Sequence, residues 1–220
     1  MNEKIDYKKS NKKLYQPGTT PVLVEVPQML FLSHDGQGDP NVVGGAYHKA
    51  LEALYAIAYT IKMSKMGGKA PNGYFEYIVP PLEGLWWLSD DTDTDFFSGK
   101  ERYQWTSLIR QPEFVTEDVL KWAKEEVKRK KPEVDTTGVK LLSFTEGLCA
   151  QVMHIGPFDT EPETLVRLEA FIQESKLIND IGTVLPGGQK RRHHEIYMGD
   201  PRKSKPENMK TVLRHPVRRG

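Results

Sequence analysis

The chain has 220 residues, with 31 Lys and Arg against 30 Asp and Glu and a formal net charge of +1. So even a balance provides no global field to draw in nucleic acid or an anionic membrane, and no run approaches the roughly 18 apolar residues of a membrane helix. The single cysteine, Cys149, excludes an intramolecular disulfide, and the polar N-terminus is unlike a signal peptide, so the expectation is a cytoplasmic protein.

Residues 1–20 read as a polar arm carrying Lys4, Lys8, Lys9, Lys12 and Lys13. The arm is too short for a helix-turn-helix reader, and nothing later resembles one. Val22 to Val26 and Met29 to His34 have strand character, interrupted by Pro27. The turn Gly36-Gln37-Gly38-Asp39-Pro40 offers an N-cap Asp and a first-turn Pro. A helix is expected from there to about Lys62, with Ala46, Ala50, Ala53, Leu54, Ile57 and Ile61 along one face. Tyr74 to Val79 reads as a strand ended by Pro80-Pro81, and Leu82 to Leu88 is the next extended run. Ser89 to Glu101 is an acidic loop without EF-hand spacing, after which Arg102 to Arg110 returns as a strand. Thr116 to Lys130 is an amphipathic helix, acidic in its first turn and basic in its last, and Pro132 to Val139 is a linker.

The second half repeats that order. Leu148 to Ile155 is a strand, and Thr160-Glu161-Pro162-Glu163 reads as a capping box before a helix with Leu165, Leu168, Phe171 and Ile172 on its core face. Pro186-Gly187-Gly188 is a loop, His193 to Met198 a strand ending in the turn Gly199-Asp200-Pro201, and Met209 to Val217 the last strand. His34-x-Gly36-x-x-Asp39 and His154-x-Gly156-x-x-Asp159 share spacing. The run from Trp105 to Pro112 resembles that from Lys210 to Pro216, each with Thr, Leu, Arg and Pro. This describes an α+β protein of two pseudo-symmetric βαββ modules, antiparallel-rich, around a central ligand cleft. The boundaries read as an arm over 1–20 and one domain over 21–220, made of a repeat over about 21–115, a connecting helix over 116–131 and a repeat over about 139–217.

In His193-His194-Glu195-Ile196-Tyr197 the period of two puts Glu195 and Tyr197 on one face. An acid and a phenol so placed bind a cation, or hold and activate a water. His193 and His194 point to opposite faces and the run lacks the spacing of a zinc-protease helix, so neither metal nor cofactor is read here. Aligning the two halves at the turns after their middle strands sets Glu83, Leu85 and Trp87 on one face, with Glu83 and Trp87 expected across the cleft from Glu195 and Tyr197. A cleft of aromatics and a few acids suits a flat ligand, neutral or cationic. Arg191, Arg192 and Arg202 flank the acid and either offset its burial from the cleft rim or are simply solvated.

Gly36-x-Gly38-Asp39-Pro40-Asn41, Ala53-Leu54-Tyr55, Pro81-Leu82-Glu83-Gly84-Leu85-Trp86-Trp87, His193-His194-Glu195-Ile196-Tyr197 and Lys210-Thr211-Val212-Leu213-Arg214-x-Pro216-Val217 together resemble the stand-alone GyrI-like small-molecule-binding proteins, over nearly the whole chain from Val22. The resemblance implies two βαββ modules around a ligand cleft, related to the effector-binding domains of multidrug-response regulators. It also implies an acid in an aromatic pocket, and in some members hydrolysis of cyclopropane-bearing alkylating compounds. On that reading Glu195 is the general base on water and Tyr197 orients the water or the ligand. Glu83, Trp87, Trp105 and Phe158 contact the ligand. The alternative is a drug- or toxin-binding or sensing protein without catalysis, using the same residues, with Glu195 and Glu83 as counter-charges. The expected partner is a small molecule, with no nucleic acid and no membrane; no motif specifies an oligomeric state.

Overall fold

A computed structural model of the chain describes residues 4–89, 100–186, 188–199 and 204–220. Most of the expected acidic loop, with Asp90, Asp91, Asp93 and Asp95, lies outside the described residues, as do Gly187 and Asp200, Pro201 and Arg202. Short helices α1 (Tyr7–Ser10) and α2 (Lys12–Tyr15) precede β1 (Val22–Gln37), α3 (Ala46–Lys62), β2 (Leu82–Leu88), β3 (Tyr103–Gln111) and α4 (Glu117–Lys130). Then come β4 (Lys140–Ile155), α5 (Glu161–Glu174), β5 (Leu177–Asn179), β6 (His193–Tyr197) and β7 (Lys210–Arg219). The chain is α+β with antiparallel pairing, and among the described residues no helix is long and apolar enough to cross a membrane.

Two units interleave in sequence. The first comprises Met1–Ser10, Met29–Pro80 and Trp87–Phe144; the second comprises Asn11–Gln28, Pro81–Trp86 and Thr145–Gly220. In the first, β1 and β3 pair from Leu30↔Gln111 to Gln37↔Gln104. Helix α3 packs against β3 and α4, burying Ala50, Ala53, Leu54, Ile57, Ala58 and Ile61. The Trp105 indole lies over Gly36, where a Cβ would meet the ring at 2.1 Å, so only glycine fits there. Thr116 caps α4 by accepting the Val119 N–H.

In the second unit β2 pairs with β6, β6 with β7, and β7 with β4, while β5 pairs with the end of β7. Leu168 and Ile172 of α5 pack on Ala150, Val152, Leu213 and Val217. The strand–helix–strand–strand order thus recurs in the two halves of the sequence, as β1, α3, β2, β3 and as β4, α5, β6, β7 with the short β5 added, and the outer ladders share a register. His34 stands opposite Ser107 in one ladder and His154 opposite Thr211 in the other. The offset 154 − 34 = 120 is that at which the His-x-Gly-x-x-Asp motif recurs.

Four local expectations are corrected. Residues 74–79 form no strand; Tyr77 makes one parallel bridge, to Ile5. Helix α3 starts at Ala46, because Asp39 turns its carboxylate onto the N–H and amide of Asn41, closing a local turn instead of capping the helix. Pro27 does not divide β1: its ring accepts extended backbone and removes one donor only. The capping box before α5 is not made, since the Thr160 hydroxyl bonds Pro157 O and His154 Nε2, and Glu161 turns into the protein.

Candidate functional site

Antiparallel partners share a sheet face. Glu195 stands opposite Gly84 on β2 and Leu213 on β7, and Tyr197 stands opposite Thr211. One face of the second unit's sheet therefore carries Gly84, Trp86, His193, Glu195, Tyr197, Thr211 and Leu213, and Leu213 places α5 over part of it.

A line of hydrogen bonds crosses this face and converges on Glu195. Tyr197 donates its hydroxyl to Glu195 Oε2 at 2.7 Å, and the Trp86 indole N–H donates to Tyr197 Oη at 2.9 Å. His193 Nε2 lies 3.0 Å from Glu195 Oε1, and His193 Nδ1 lies 2.9 Å from His215 Nε2. Asn179 accepts the Ile181 N–H on its Oδ1, so its Nδ2 is the group facing His215 Nδ1, at 3.5 Å. Burial, then the neighbouring His193, push the His215 pKa down to about 3, so His215 is neutral. Its Nε2–H then donates to His193 Nδ1, and His193 presents Nε2–H to Glu195. Both carboxylate oxygens are thus oriented by donors, and each keeps a lone pair for a further partner.

Glu161, the first residue of α5, reaches the same face. Its side chain is 4 % exposed, and its buried Oε1 has no partner among the described residues. Burial first, then the charge of Glu195 and of Asp159, push its pKa up to about 9, so Glu161 holds its proton at neutral pH. Phe158 sets its ring edge-on to Tyr197 with centroids 5.8 Å apart.

The other face of β6 has a different character. His194 Nδ1 lies 3.0 Å from Glu146 Oε2, which also accepts Arg214 Nη1–H at 3.0 Å. His194 Nε2 lies 3.0 Å from Glu83 Oε2, an ion-pair contact without hydrogen-bond alignment, and Tyr15 donates to Glu83 Oε1 at 3.2 Å. Arg214 continues to Gln151 Oε1 and to Leu14 O, and Gln151 Nε2 to Lys13 O, tying the segment around α2 to the sheet. Burial would push His194 down, yet Glu146 and Glu83 hold its pKa up at about 9; burial would push Glu146 up, yet His194 and Arg214 hold it down at about 2. Glu146 thus faces both His194 and Arg214 inside the protein, with Glu83 and His194 wholly enclosed.

Of the expected site residues, Glu195, Tyr197 and Phe158 come together. Glu83 does not: it lies on the opposite face, because the antiparallel register sets it against Ile196 and leaves Gly84 and Trp86 on the side of Glu195. Trp87 belongs to the first unit, where its indole N–H donates to Gln104 Oε1 at 3.0 Å. Trp105 is a core residue of that unit, 1 % exposed and packed edge-on by Tyr47 at 5.1 Å. Arg191 is no rim charge: it is buried on Asp180 Oδ2 at 2.6 Å and on the carbonyls of Glu146 and Leu148. Sequence reasoning missed Trp86, His193, His215 and Glu161 as neighbours of Glu195. The alternation in Gly84-x-Trp86 was a usable signal for the first; Glu161 carried none, since it stood inside the expected capping box from Thr160 to Glu163. His154 and His34 sit near the ends of β4 and β1, His154 bonding Thr164 Oγ1 and Pro157 O.

An acid and a phenol set between aromatic rings on a half-covered sheet face define a binding domain for small molecules. Residues 19–218 match the GyrI-like small molecule binding domain, and the chain belongs to that family. It is similar to a protein of known structure from Listeria innocua described as a hydrolase, at 50% identity and a TM-score of 0.85 over 98% of this chain and 100% of the other. An uncharacterized conserved protein from Listeria innocua is similar at 51% identity and a TM-score of 0.88, with the same coverage. The EcmrR C-terminal domain, 12% identical with a TM-score of 0.50 over 91% of this chain and 98% of that one, shares the fold. No curated protein matches the chain.

Proposed function

We propose that the chain binds flat aromatic small molecules, neutral or cationic, against the Glu195–Tyr197 face and hydrolyses electrophilic, cyclopropane-bearing compounds. The observation that carries this reading is the convergence of donors on Glu195, with Tyr197 at 2.7 Å and His193 at 3.0 Å, which orients a carboxylate without occupying all its lone pairs. The hydrolase from Listeria innocua, half identical over its full length, supports the reading.

In the step envisaged, Glu195 takes a proton from water as its oxygen attacks the strained ring carbon. The C–O bond forms, the ring C–C bond breaks, and its electron pair passes into the conjugated carbonyl system of the ligand. Tyr197 holds the carboxylate in register, and Trp86 and Phe158 flank the ligand plane.

The test is incubation of the protein with a spirocyclopropyl cyclohexadienone, followed by mass spectrometry for the water adduct. Wild-type protein should form the adduct, and Glu195→Gln should slow it about 10²–10⁴-fold while a neutral planar ligand still binds. Adduct formed at the parent rate by Glu195→Gln removes Glu195 from the mechanism. No adduct with wild type, together with cation binding that Glu195→Gln weakens, leaves a binding protein only.

A further inference from the structure

The hydrogen-bond line behind Glu195 has a direction, and its far end sets it. Asn179, the last residue of β5, accepts the Ile181 N–H on Oδ1 at 3.1 Å, so its other contacts are donations from Nδ2. One goes to Glu169 Oε2 of α5 at 3.0 Å, the other to His215 Nδ1 at 3.5 Å. A ring nitrogen that accepts carries no proton, so the His215 proton sits on Nε2, 2.9 Å from His193 Nδ1. The same rule then applies to His193, whose proton sits on Nε2, 3.0 Å from Glu195 Oε1. His193 and His215 are 6 % and 9 % exposed and meet edge to face at 5.0 Å. The ionisable groups facing the pair are Glu195 on β6, Glu146 on β4, whose charge reaches His215, and Glu169 on α5 behind Asn179.

His193 cannot take a second proton while its Nδ1 accepts from His215, because two N–H groups would then face each other. An imidazolium 3.0 Å from Glu195 would weaken that carboxylate as a base, whereas a neutral imidazole aims it with less loss of basicity. We propose that Asn179 and His215 are positioning residues of the Glu195 site. Acting through His193, they hold it as a neutral donor, which aims Glu195 and leaves it basic enough to deprotonate the attacking water. This rests on the hydrolase reading above. One water proton passes to Glu195, the C–O bond forms, the ring C–C bond breaks, and its electron pair becomes a phenolate on the ligand. The histidines neither gain nor lose a proton, since His193 Nε2 already carries one. Glu195 returns its proton on its open side, to the phenolate or to solvent. The low pKa of His215, about 3 through burial and then His193, accords with this order.

The experiment has two arms. In ligand-free wild type at neutral pH, nitrogen-15 NMR of the imidazoles should find His193 and His215 both neutral and protonated on Nε2. The second arm compares Glu169→Gln with the double variant Asn179→Asp, Glu169→Gln, in which no two carboxylates meet. In the double variant an acceptor faces His215 Nδ1. The His215 proton should move to Nδ1, and His193 should then take a proton on its own Nδ1 and become a cation, which the same spectra read. Hydrolysis of the spirocyclopropyl dienone should fall about tenfold in kcat relative to Glu169→Gln, with KM little changed. A charged ring or an Nδ1–H tautomer at either histidine of the wild type overturns the proposal. So does a double variant whose His193 is a cation and whose kcat is undiminished. Both of those results leave the hydrolase reading intact; a wild-type protein that forms no adduct overturns the two together.

Discussion

Gly84 stands directly opposite Glu195 on the neighbouring strand, and the Trp86 indole passes over it to reach the Tyr197 hydroxyl. A Cβ at Gly84 would lie 2.5 Å from Trp86 Nε1 and 3.2 Å from Tyr197 Oη. Gly84→Ala is therefore expected to displace the indole, lower stability by about 1–3 kcal/mol and reduce turnover. Urea denaturation gives the first and the dienone assay the second. Unchanged values of both would show that the indole moves aside at no cost and that its bond to Tyr197 is dispensable.

Tyr197 links two partners, donating to Glu195 and accepting from Trp86. Tyr197→Phe should cost about 0.5–1.5 kcal/mol of transition-state stabilisation for the lost neutral hydrogen bond, a smaller loss than Glu195→Gln gives. Trp86→Phe keeps a ring beside the ligand but removes the donor to Tyr197, so its effect should be smaller again. Steady-state kinetics on the three variants gives the order. A Tyr197→Phe variant as impaired as Glu195→Gln would assign Tyr197 a proton-transfer role of its own.

Stability should peak on the acid side of neutrality. His194 is raised from 6.5 to about 9 and Glu161 from 4.5 to about 9, so their contributions are complete below those ordinary values and are lost as pH rises towards 9. Glu146 is lowered from 4.5 to about 2 and His215 from 6.5 to about 3, so their contributions are complete above the ordinary values and are lost as pH falls. Between 4.5 and 6.5 the losses at Glu161 and His215 run in opposite directions, leaving a plateau with a decline on each side. His194 and Glu146 describe one interaction from its two ends and do not add. Melting temperature against pH checks this; stability that climbs from pH 7 to pH 9 would contradict it.

The Arg191–Asp180 pair should matter for the fold and not for the chemistry. Arg191 holds Asp180, Glu146 O and Leu148 O with a planar fork that lysine cannot reproduce. Arg191→Lys is expected to cost about 1–3 kcal/mol for buried acceptors left unpaired. The pH profile of kcat/KM should keep its shape. A shifted profile would place the Arg191 charge at the site after all.

The sequence by itself carried the order of elements, the repeat with its offset, the common face of Glu195 and Tyr197, and the family resemblance. Each depends on spacing along one segment, where the period of a strand fixes which side chains agree. It could not say which residues of β2 meet them. Register between distant strands is set by what both faces bury, and a slip of one residue exchanges the faces. Aligning the halves by their turns favoured Glu83 and Trp87, but the antiparallel ladder sets Glu83 against Ile196 and brings Gly84 and Trp86 to the acid. Glu83 was instead claimed by His194, and Arg191 by Asp180, because buried charges must pair wherever partners lie. Glu161 shows the same limit: it stood inside an expected capping box from Thr160 to Glu163, and only the tertiary structure buried it.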